Sequence, residues 1–287
     1  MSRLFNDVYF SRDGGVAETE YVFLQHNHLP QRWENRHQFV IAETGFGSGL
    51  NFVTTVYHWL NSSKDNSHLF YISVEKYPLL KSDLKKAQAS WPQFAQYSEE
   101  LIRYYPPAIP GFHRISLFNN RVTLLLLLGD VEIMLQQLHA NVDAWFLDGF
   151  SPARNPEMWT ETVFSEIARL SKADATFSSY TAAGYVRRGL AAQGFDVSKV
   201  KGCGNKNEML QGHIHQKPVN QSKHPWYEIP VSSFKSKRVA VIGAGIAGMT
   251  TAHALAKRGW QVDVLERNSG IASEGSGNPA GVLLPRI

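Results

Sequence analysis

Five short apolar runs, at residues 38–42, 69–74, 122–128, 144–147 and 175–178, are separated by stretches long enough to hold helices. Runs of this length bounded by polar residues read as strands buried on both faces, and their alternation with helical segments argues for a parallel sheet covered by helices, an α/β fold. The five consecutive leucines from Leu124 to Leu128 fit such a strand and need no other explanation. Residues up to Gln31 are more polar, with Gly14-Gly15 marking a turn between an opening strand and the run Tyr21-Val-Phe-Leu24, so this part reads as a cap or hairpin. Between Pro218 and Pro230 the pattern lapses into Asn, Gln, Ser, Lys and Pro, the composition of a linker. Beyond it, Arg238-Val-Ala-Val-Ile-Gly243 opens another strand that feeds a glycine turn. The expected organisation is a domain over residues 1–215, a linker over 216–236 and a second unit over 237–287.

A hydrophobic fraction of 43% over 287 residues is enough to bury a core, so disorder is not the default. Cys203 is the only cysteine, which excludes an internal disulfide and a cysteine-based zinc site and fits a reducing compartment; it reads as a packed thiol. Met1 to Phe10 holds no basic segment leading into an apolar run, and no stretch of about 18 apolar residues occurs. The expectation is a soluble, cytoplasmic protein with no membrane partner. The formal net charge is +4, and the segment His215 to Arg238, with Lys217, Lys223, Lys235, Lys237 and Arg238 against Glu228, carries that whole excess. Such a balance permits a polyanionic partner without demanding one.

After the first run stands Glu43-Thr-Gly45-Phe-Gly47-Ser-Gly49-Leu-Asn51-Phe52, opening into a helix-compatible stretch from Leu50 to Leu60. Glycines at alternate positions let the backbone turn sharply and approach a ligand without Cβ clashes. An acid directly before the loop would repel a pyrophosphate but suits a ligand with a cationic amino acid end, as S-adenosylmethionine has. The second run ends at Glu75, where a carboxylate ordinarily meets ribose hydroxyls, and the third ends in Gly129-Asp130, where an acid can accept from an adenine amino group. Each acid alone is an ordinary cap or turn residue. Three at successive strand ends, beside a glycine loop, form a cofactor edge.

The fourth run leads into Asp148-Gly-Phe150-Ser-Pro152-Ala-Arg154-Asn155-Pro-Glu-Met-Trp159, a stiff loop with a polar tip. Asp148 is the candidate for orienting an acceptor amine and taking its proton, because an alkylamine is mostly protonated near neutral pH. Phe150, Pro152 and Trp159 are expected to wall the pocket and stack on a base. Tyr180 precedes a helix carrying Arg187 and Arg188, candidates for phosphate contacts, although paired arginines also suit a solvated helix face. Lys201 to Leu210 reads as a hairpin with a basic tip at Lys206. His26, His28 and His37 match no metal-ligand spacing and read as surface residues, so no metal is expected.

The motifs Glu43 to Phe52, Asp148-Gly-Phe-Ser-Pro152 with Asn155-Pro-Glu-Met-Trp159, and Asp7-Val-Tyr-Phe-Ser11 resemble the MnmC family of bifunctional tRNA 5-methylaminomethyl-2-thiouridine biosynthesis proteins. The resemblance covers the whole chain and implies a Rossmann-like S-adenosylmethionine-dependent methyltransferase domain followed by an FAD-binding Rossmann segment. It implies a flavin half that removes a carboxymethyl group from the wobble uridine of certain tRNAs, and a methyltransferase half that methylates the exposed amine. Glu43, Gly45, Gly47, Gly49, Asn51, Glu75 and Asp130 would then hold the methyl donor, and Asp148 would serve the amine.

Val239-Ala-Val-Ile-Gly243-Ala-Gly245-Ile-Ala-Gly248, with Glu266 after the next apolar run, is a dinucleotide fingerprint, and Ser276-Gly-Asn-Pro-Ala-Gly281 resembles the family's flavin-contacting turn. Because so few residues follow Arg238, the expectation is a fragment without oxidoreductase activity, and the remaining part would have to come from a separate chain. Two other functions stay open: N-methylation of a small amine or a protein, and RNA binding without catalysis.

Overall fold

A computed structural model of the protein describes residues 14–204, 206–216, 236–279 and 281. The motif Asp7–Ser11, the expected opening strand and nearly all of the expected linker lie outside the described residues. The chain divides into two compact units, Met1–Glu228 and Ile229–Ile287.

The first unit is built on an eight-stranded sheet: β1 (Gln38–Glu43), β2 (His68–Glu75), β3 (Gly111–Leu117), β4 (Val122–Leu128), β5 (Val142–Leu147), β6 (Ser171–Ser179), β7 (Phe195–Lys201) and β8 (Glu208–Ile214). Their order across the sheet is β3-β4-β2-β1-β5-β6-β8-β7. The five strands from β4 to β6 in that order run parallel, and these are the five apolar runs. β3 pairs antiparallel to β4 at one edge, and β8 is antiparallel to both β6 and β7 at the other. The hairpin expected around Lys206 is the β7–β8 connection.

Continuous apolar runs follow from the sheet being covered on both sides. Phe39 and Ile41 of β1 join one buried layer, while Val40 and Ala42 join the other; Leu124, Leu126 and Leu128 oppose Leu127 in the same way. Helices α2 (Leu50–Ser62), α3 (Lys81–Gln88) and α4 (Ala95–Tyr104) supply the first layer. Helices α5 (Val131–Gln137), α6 (Glu161–Leu170) and α7 (Gly184–Ala192) supply the second. The chain leaves β1 for β2 on one side and reaches β5 on the other, so the strand order reverses there, and the carboxyl ends of β1 and β5 border the natural ligand crevice of an open α/β sheet.

The run Tyr21–Leu24 is helical, so of the two forms read for this part, a cap or a hairpin, the structure has a cap and no hairpin there. Helix α1 (Gly15–Thr19) continues through a π turn at Glu20–Leu24 and a 3-10 turn at Gln25–Asn27. Val22, Phe23 and Leu24 are all buried in a row, so the sequence lacks the 3.6-residue spacing of an amphipathic helix. This helical cap packs on the sheet: the Phe23 ring stacks on Phe146 of β5 at 5.1 Å. Asn27, fully buried, donates to the Trp145 carbonyl at 3.3 Å and to Ser178 Oγ at 2.7 Å, and accepts from Thr176 Oγ1 at 2.5 Å.

In the second unit β9 (Arg238–Ile242) and β10 (Gln261–Leu265) pair in parallel, joined by α8 (Ile246–Ala256). The expected strand-glycine turn-helix-strand order is present. Ile242, Ile246 and Leu265 are exposed.

Asn27→Ala would strand the polar groups of β5 and β6 that meet its amide. The expected cost is about 3 kcal/mol in urea unfolding, with an unchanged denaturant slope.

Candidate active site

The loop after β1 is strapped to the strands on either side of it. Thr44 N donates to the Phe146 carbonyl at 3.2 Å and Thr44 Oγ1 to the Asp148 carbonyl at 2.6 Å, while Phe46 N donates to the Val74 carbonyl at 3.0 Å. Gly45 is required by this closeness, since a Cβ there would sit 3.2 Å from the Asp148 carbonyl oxygen. Gly49 adopts φ 73° at the start of α2, where a side chain would be strained and would press on Phe46 and Leu101.

Above this loop lies a cavity of about 840 Å³ at the carboxyl ends of β1, β2, β4 and β5. Gly45, Gly47, Asn51, Glu75, Asp130, Asp148, Phe150, Pro152, Trp159 and Tyr180 all line it. The sequence-derived candidates in the first unit therefore converge on one opening, with four exceptions, of which Gly49 is one, since it turns the loop into α2 without lining the cavity. Arg187 and Arg188 are exposed on α7 and are not among the lining residues. Glu43 is 1% exposed and lies beneath the loop.

Glu43 and Asp148 are joined by one side chain. The Asn51 amide donates to Glu43 Oε1 at 2.8 Å and to Asp148 Oδ2 at 2.7 Å, and its oxygen accepts from Thr19 Oγ1 at 2.7 Å. Glu43 Oε2 accepts from Ser73 Oγ at 2.7 Å, and Asp148 Oδ1 from Gly149 N at 2.8 Å. Burial pushes the Glu43 carboxyl up to about 8, with the neighbouring Asp148 charge adding to it. Burial also raises Asp148 to about 6, against the hydrogen bonds from Gly149 and Asn51. At neutral pH the proton stays on Glu43 and the charge on Asp148.

Glu75 ends β2 with its carboxylate held by two backbone donors, Gly47 N at 2.8 Å and Tyr77 N at 2.7 Å. Burial raises its pKa from the ordinary carboxylate value. Asp130 caps α5 by accepting from Glu132 N at 3.1 Å, and it also takes Lys76 Nζ at 3.0 Å. The same ammonium reaches Glu157 at 2.7 Å, so Lys76 closes an ion-paired rim between β2 and the loop after β5. Trp159 is buried and donates its Nε1 to the Phe150 carbonyl at 3.3 Å, which makes it a brace behind Phe150 as well as a wall.

Three lining residues, Gly15, Glu18 and Thr19, come from α1, which the sequence did not connect with the site. They lie more than a hundred residues from Asp148, and no local motif marks them. Tyr180 OH donates to Glu18 Oε1 at 2.9 Å, and Lys206 Nζ sits 4.2 Å from the Tyr180 ring centroid and donates to its carbonyl at 3.2 Å. Cys203 is half-buried and packs against the core, as a packed thiol should. Among the described residues one cluster of ligand-type side chains, Asp196, His213 and His215, comes within 4.8 Å, on β7 and β8 and in its vicinity rather than at the cavity.

In the second unit Gly243 adopts φ 94°, and a Cβ on Gly248 would lie 1.9 Å from the Gly243 carbonyl oxygen, so the tight turn depends on both glycines. Gly245 caps α8. Glu266, at the end of β10, accepts from Ala244 N at 2.7 Å and from Asn268 N at 2.9 Å. Ser276 Oγ accepts from Ile246 N at 3.1 Å, which brings the Ser276 turn against the glycine loop; Ala280 lies outside the described residues.

Residues 92–215 match a family described as S-adenosyl-L-methionine-dependent methyltransferase, and residues 238–287 match one described as FAD dependent oxidoreductase. The chain is 49% identical over 290 residues to the tRNA 5-methylaminomethyl-2-thiouridine biosynthesis bifunctional protein MnmC of Ectopseudomonas mendocina (strain ymp), covering 100% of this chain and 44% of that protein. It is 48% identical over 289 residues to the MnmC of Stutzerimonas stutzeri (strain A1501), with the same coverage of 100% and 44%. The chain thus spans less than half the length of these curated relatives. Among solved structures, MNMC2 from Aquifex aeolicus superposes with a TM-score of 0.60 at 24% identity, covering 75% of this chain and 67% of that one, a likeness of fold.

The raised Glu43 carboxyl has a consequence for stability. A carboxyl whose folded-state pKa lies above its unfolded value near 4.3 stabilises fully below that value, and the contribution is lost as pH rises toward about 8. The stability of the wild type minus that of Glu43→Gln is therefore expected to fall, by roughly 3 kcal/mol, between about pH 5 and 8 in chemical denaturation.

Proposed function

Since this chain is homologous along its whole length to the MnmC proteins, we propose that its first unit transfers a methyl group from S-adenosylmethionine to the amine of 5-aminomethyl-(2-thio)uridine at the wobble position of tRNA, giving the 5-methylaminomethyl derivative. The observation that carries this reading is the meeting of a donor cradle and an ionisable acid on one cavity: Gly45 to Asn51 and Glu75 on one side, Asp148 on the other.

The residues fit such a donor. Gly45 and Gly49 let the loop take its tight path, against the Asp148 carbonyl at the first and with positive φ at the second, and Glu75 is a half-buried carboxylate held by backbone donors, suited to ribose hydroxyls. Asp130 stands where an adenine amino group can donate to it. Glu43 acts through Asn51, which it holds, instead of touching the ligand. The donor supplies a sulfonium methyl.

Asp148 has the proton chemistry for the acceptor. A primary alkylamine arrives as its ammonium form, with an ordinary pKa above 10, and its nitrogen lone pair must be freed before it can attack carbon. The Asp148 carboxylate, raised to about 6, accepts that proton more readily than an ordinary aspartate would. Phe150 and Pro152 line the acceptor side, with Tyr180 opposite, where an unstacked base can lie against aromatic and apolar surface. Arg187 and Arg188, exposed on α7, are suited to phosphates outside the cavity.

For the second unit the reading is FAD recognition by Gly243, Gly245, Gly248 and Glu266, whose turn and acid have the geometry of a dinucleotide fingerprint.

Titration calorimetry is expected to detect binding of S-adenosylmethionine, and label from its methyl group should appear at the wobble base of tRNA bearing 5-aminomethyluridine. Asp148→Asn should retain donor binding and lose methyl transfer by about 10²- to 10⁴-fold. The wild-type rate should climb with pH through about 6, as Asp148 ionises, and then level off; unchanged transfer in Asp148→Asn would remove that residue from its role.

A further inference from the structure

Glu18 is a second acid on the acceptor side of the cavity, and the proposed chemistry above does not use it. It stands on α1, half-buried, and lines the same opening as Asp148, Phe23 and Leu50. Its carboxylate accepts one hydrogen bond, from the Tyr180 hydroxyl at 2.9 Å. Lys206 lines the same opening, with its ammonium over the Tyr180 ring and donating to the Tyr180 carbonyl. A half-buried carboxylate that accepts from a neutral phenol on the wall of a cavity is placed to receive a cation delivered there.

Glu18 and Asp148 line the same space, where the Lys206 charge lowers the Asp148 pKa and the Glu18 charge raises it, so the three side chains are electrostatic neighbours. A neutral or anionic substituent entering there meets two carboxylates and loses water without return. An ammonium group meets both.

We propose that Glu18, positioned by Tyr180, forms with Asp148 an ammonium subsite that selects a primary alkylammonium substituent of the acceptor base. This rests on the reading of the first unit as a methyltransferase acting on an aminomethyl base. Within it the two acids divide the work: Glu18 holds the cationic group, and Asp148 removes a proton from it. The Tyr180 hydroxyl keeps the Glu18 carboxylate turned into the cavity, which makes Tyr180 a positioning residue.

The test compares two tRNAs that differ only at the wobble base, one bearing 5-aminomethyluridine and the other 5-hydroxymethyluridine, a neutral group of nearly the same size. Affinities are measured in the presence of S-adenosylhomocysteine with the full chain, wild type against Glu18→Gln and Glu18→Asp. The wild type should bind the aminomethyl tRNA more tightly, by at least about tenfold, and Glu18→Gln should reduce that ratio toward one. Glu18→Asp should restore part of it, and Tyr180→Phe should lower it less than Glu18→Gln does. Affinity for the hydroxymethyl tRNA and for S-adenosylhomocysteine should stay within about twofold in the two Glu18 variants, which a merely structural role for Glu18 would not allow.

A preference that persists undiminished in Glu18→Gln overturns the proposal. If that variant does not fold, Glu18→Asp decides, because an undiminished ratio together with a lowered affinity for the hydroxymethyl tRNA would mark Glu18 as structural. A wild type that methylates no aminomethyl tRNA at all refutes the methyltransferase reading itself, a result distinguishable from the loss of discrimination alone.

Discussion

Asn51 donates one amide hydrogen to Glu43 and the other to Asp148, and this shared donor lets the adjoining ends of β1 and β5 carry two acids in one buried network. Two carboxylates in such a place repel each other and lose hydration, so one keeps a proton at neutral pH. The deeper one does: Glu43 is sealed under the glycine loop, with Ser73 as its other partner, while Asp148 faces the cavity with Gly149 as its own. Thr19 fixes the amide from the opposite side, so the helical cap at α1 is part of the same network. The position of the strands, the conformation of the loop and the charge state of the site thus meet at a single side chain.

The β1–β5 junction also explains why the loop is rich in glycine. The chain must turn back from β1 into α2 while its backbone touches the Asp148 carbonyl on one side and the Val74 carbonyl on the other. A side chain at Gly45 would press on the Asp148 carbonyl, and one at Gly49 would be strained at its positive φ and press on Phe46 and Leu101. Open volume above the loop is therefore a product of how closely the strands are tied beneath it.

Much of this was legible in the sequence because the parallel strands are buried on both faces and so appear as apolar runs, four of the five ending in an acid or a glycine at the ligand edge. Glu75, Asp130 and Asp148 could be picked out that way. The helical form of the cap was not legible: Val22, Phe23 and Leu24 follow one another without helical spacing, and the π turn carries all three inward. Nor was Glu18, whose partner Tyr180 lies 162 residues away and whose place in the site depends on the cap folding over β5 and β6. Glu43 was read as touching a ligand, because sequence spacing gives proximity to the loop but not which side of it a side chain takes. The edge strand β3 escaped notice for another reason, since its burial alternates and its apolar content is modest.

In the proposed complex a sulfonium donor lies across the carboxyl ends of β1, β2 and β4 with its reactive end toward Asp148. A crystal soaked with S-adenosylhomocysteine is the decisive measurement. Ligand density is expected in the cavity, with ribose hydroxyls against Glu75 and the sulfur turned toward Asp148; density elsewhere, or a sulfur facing away from Asp148 across the cavity, would overturn the proposal.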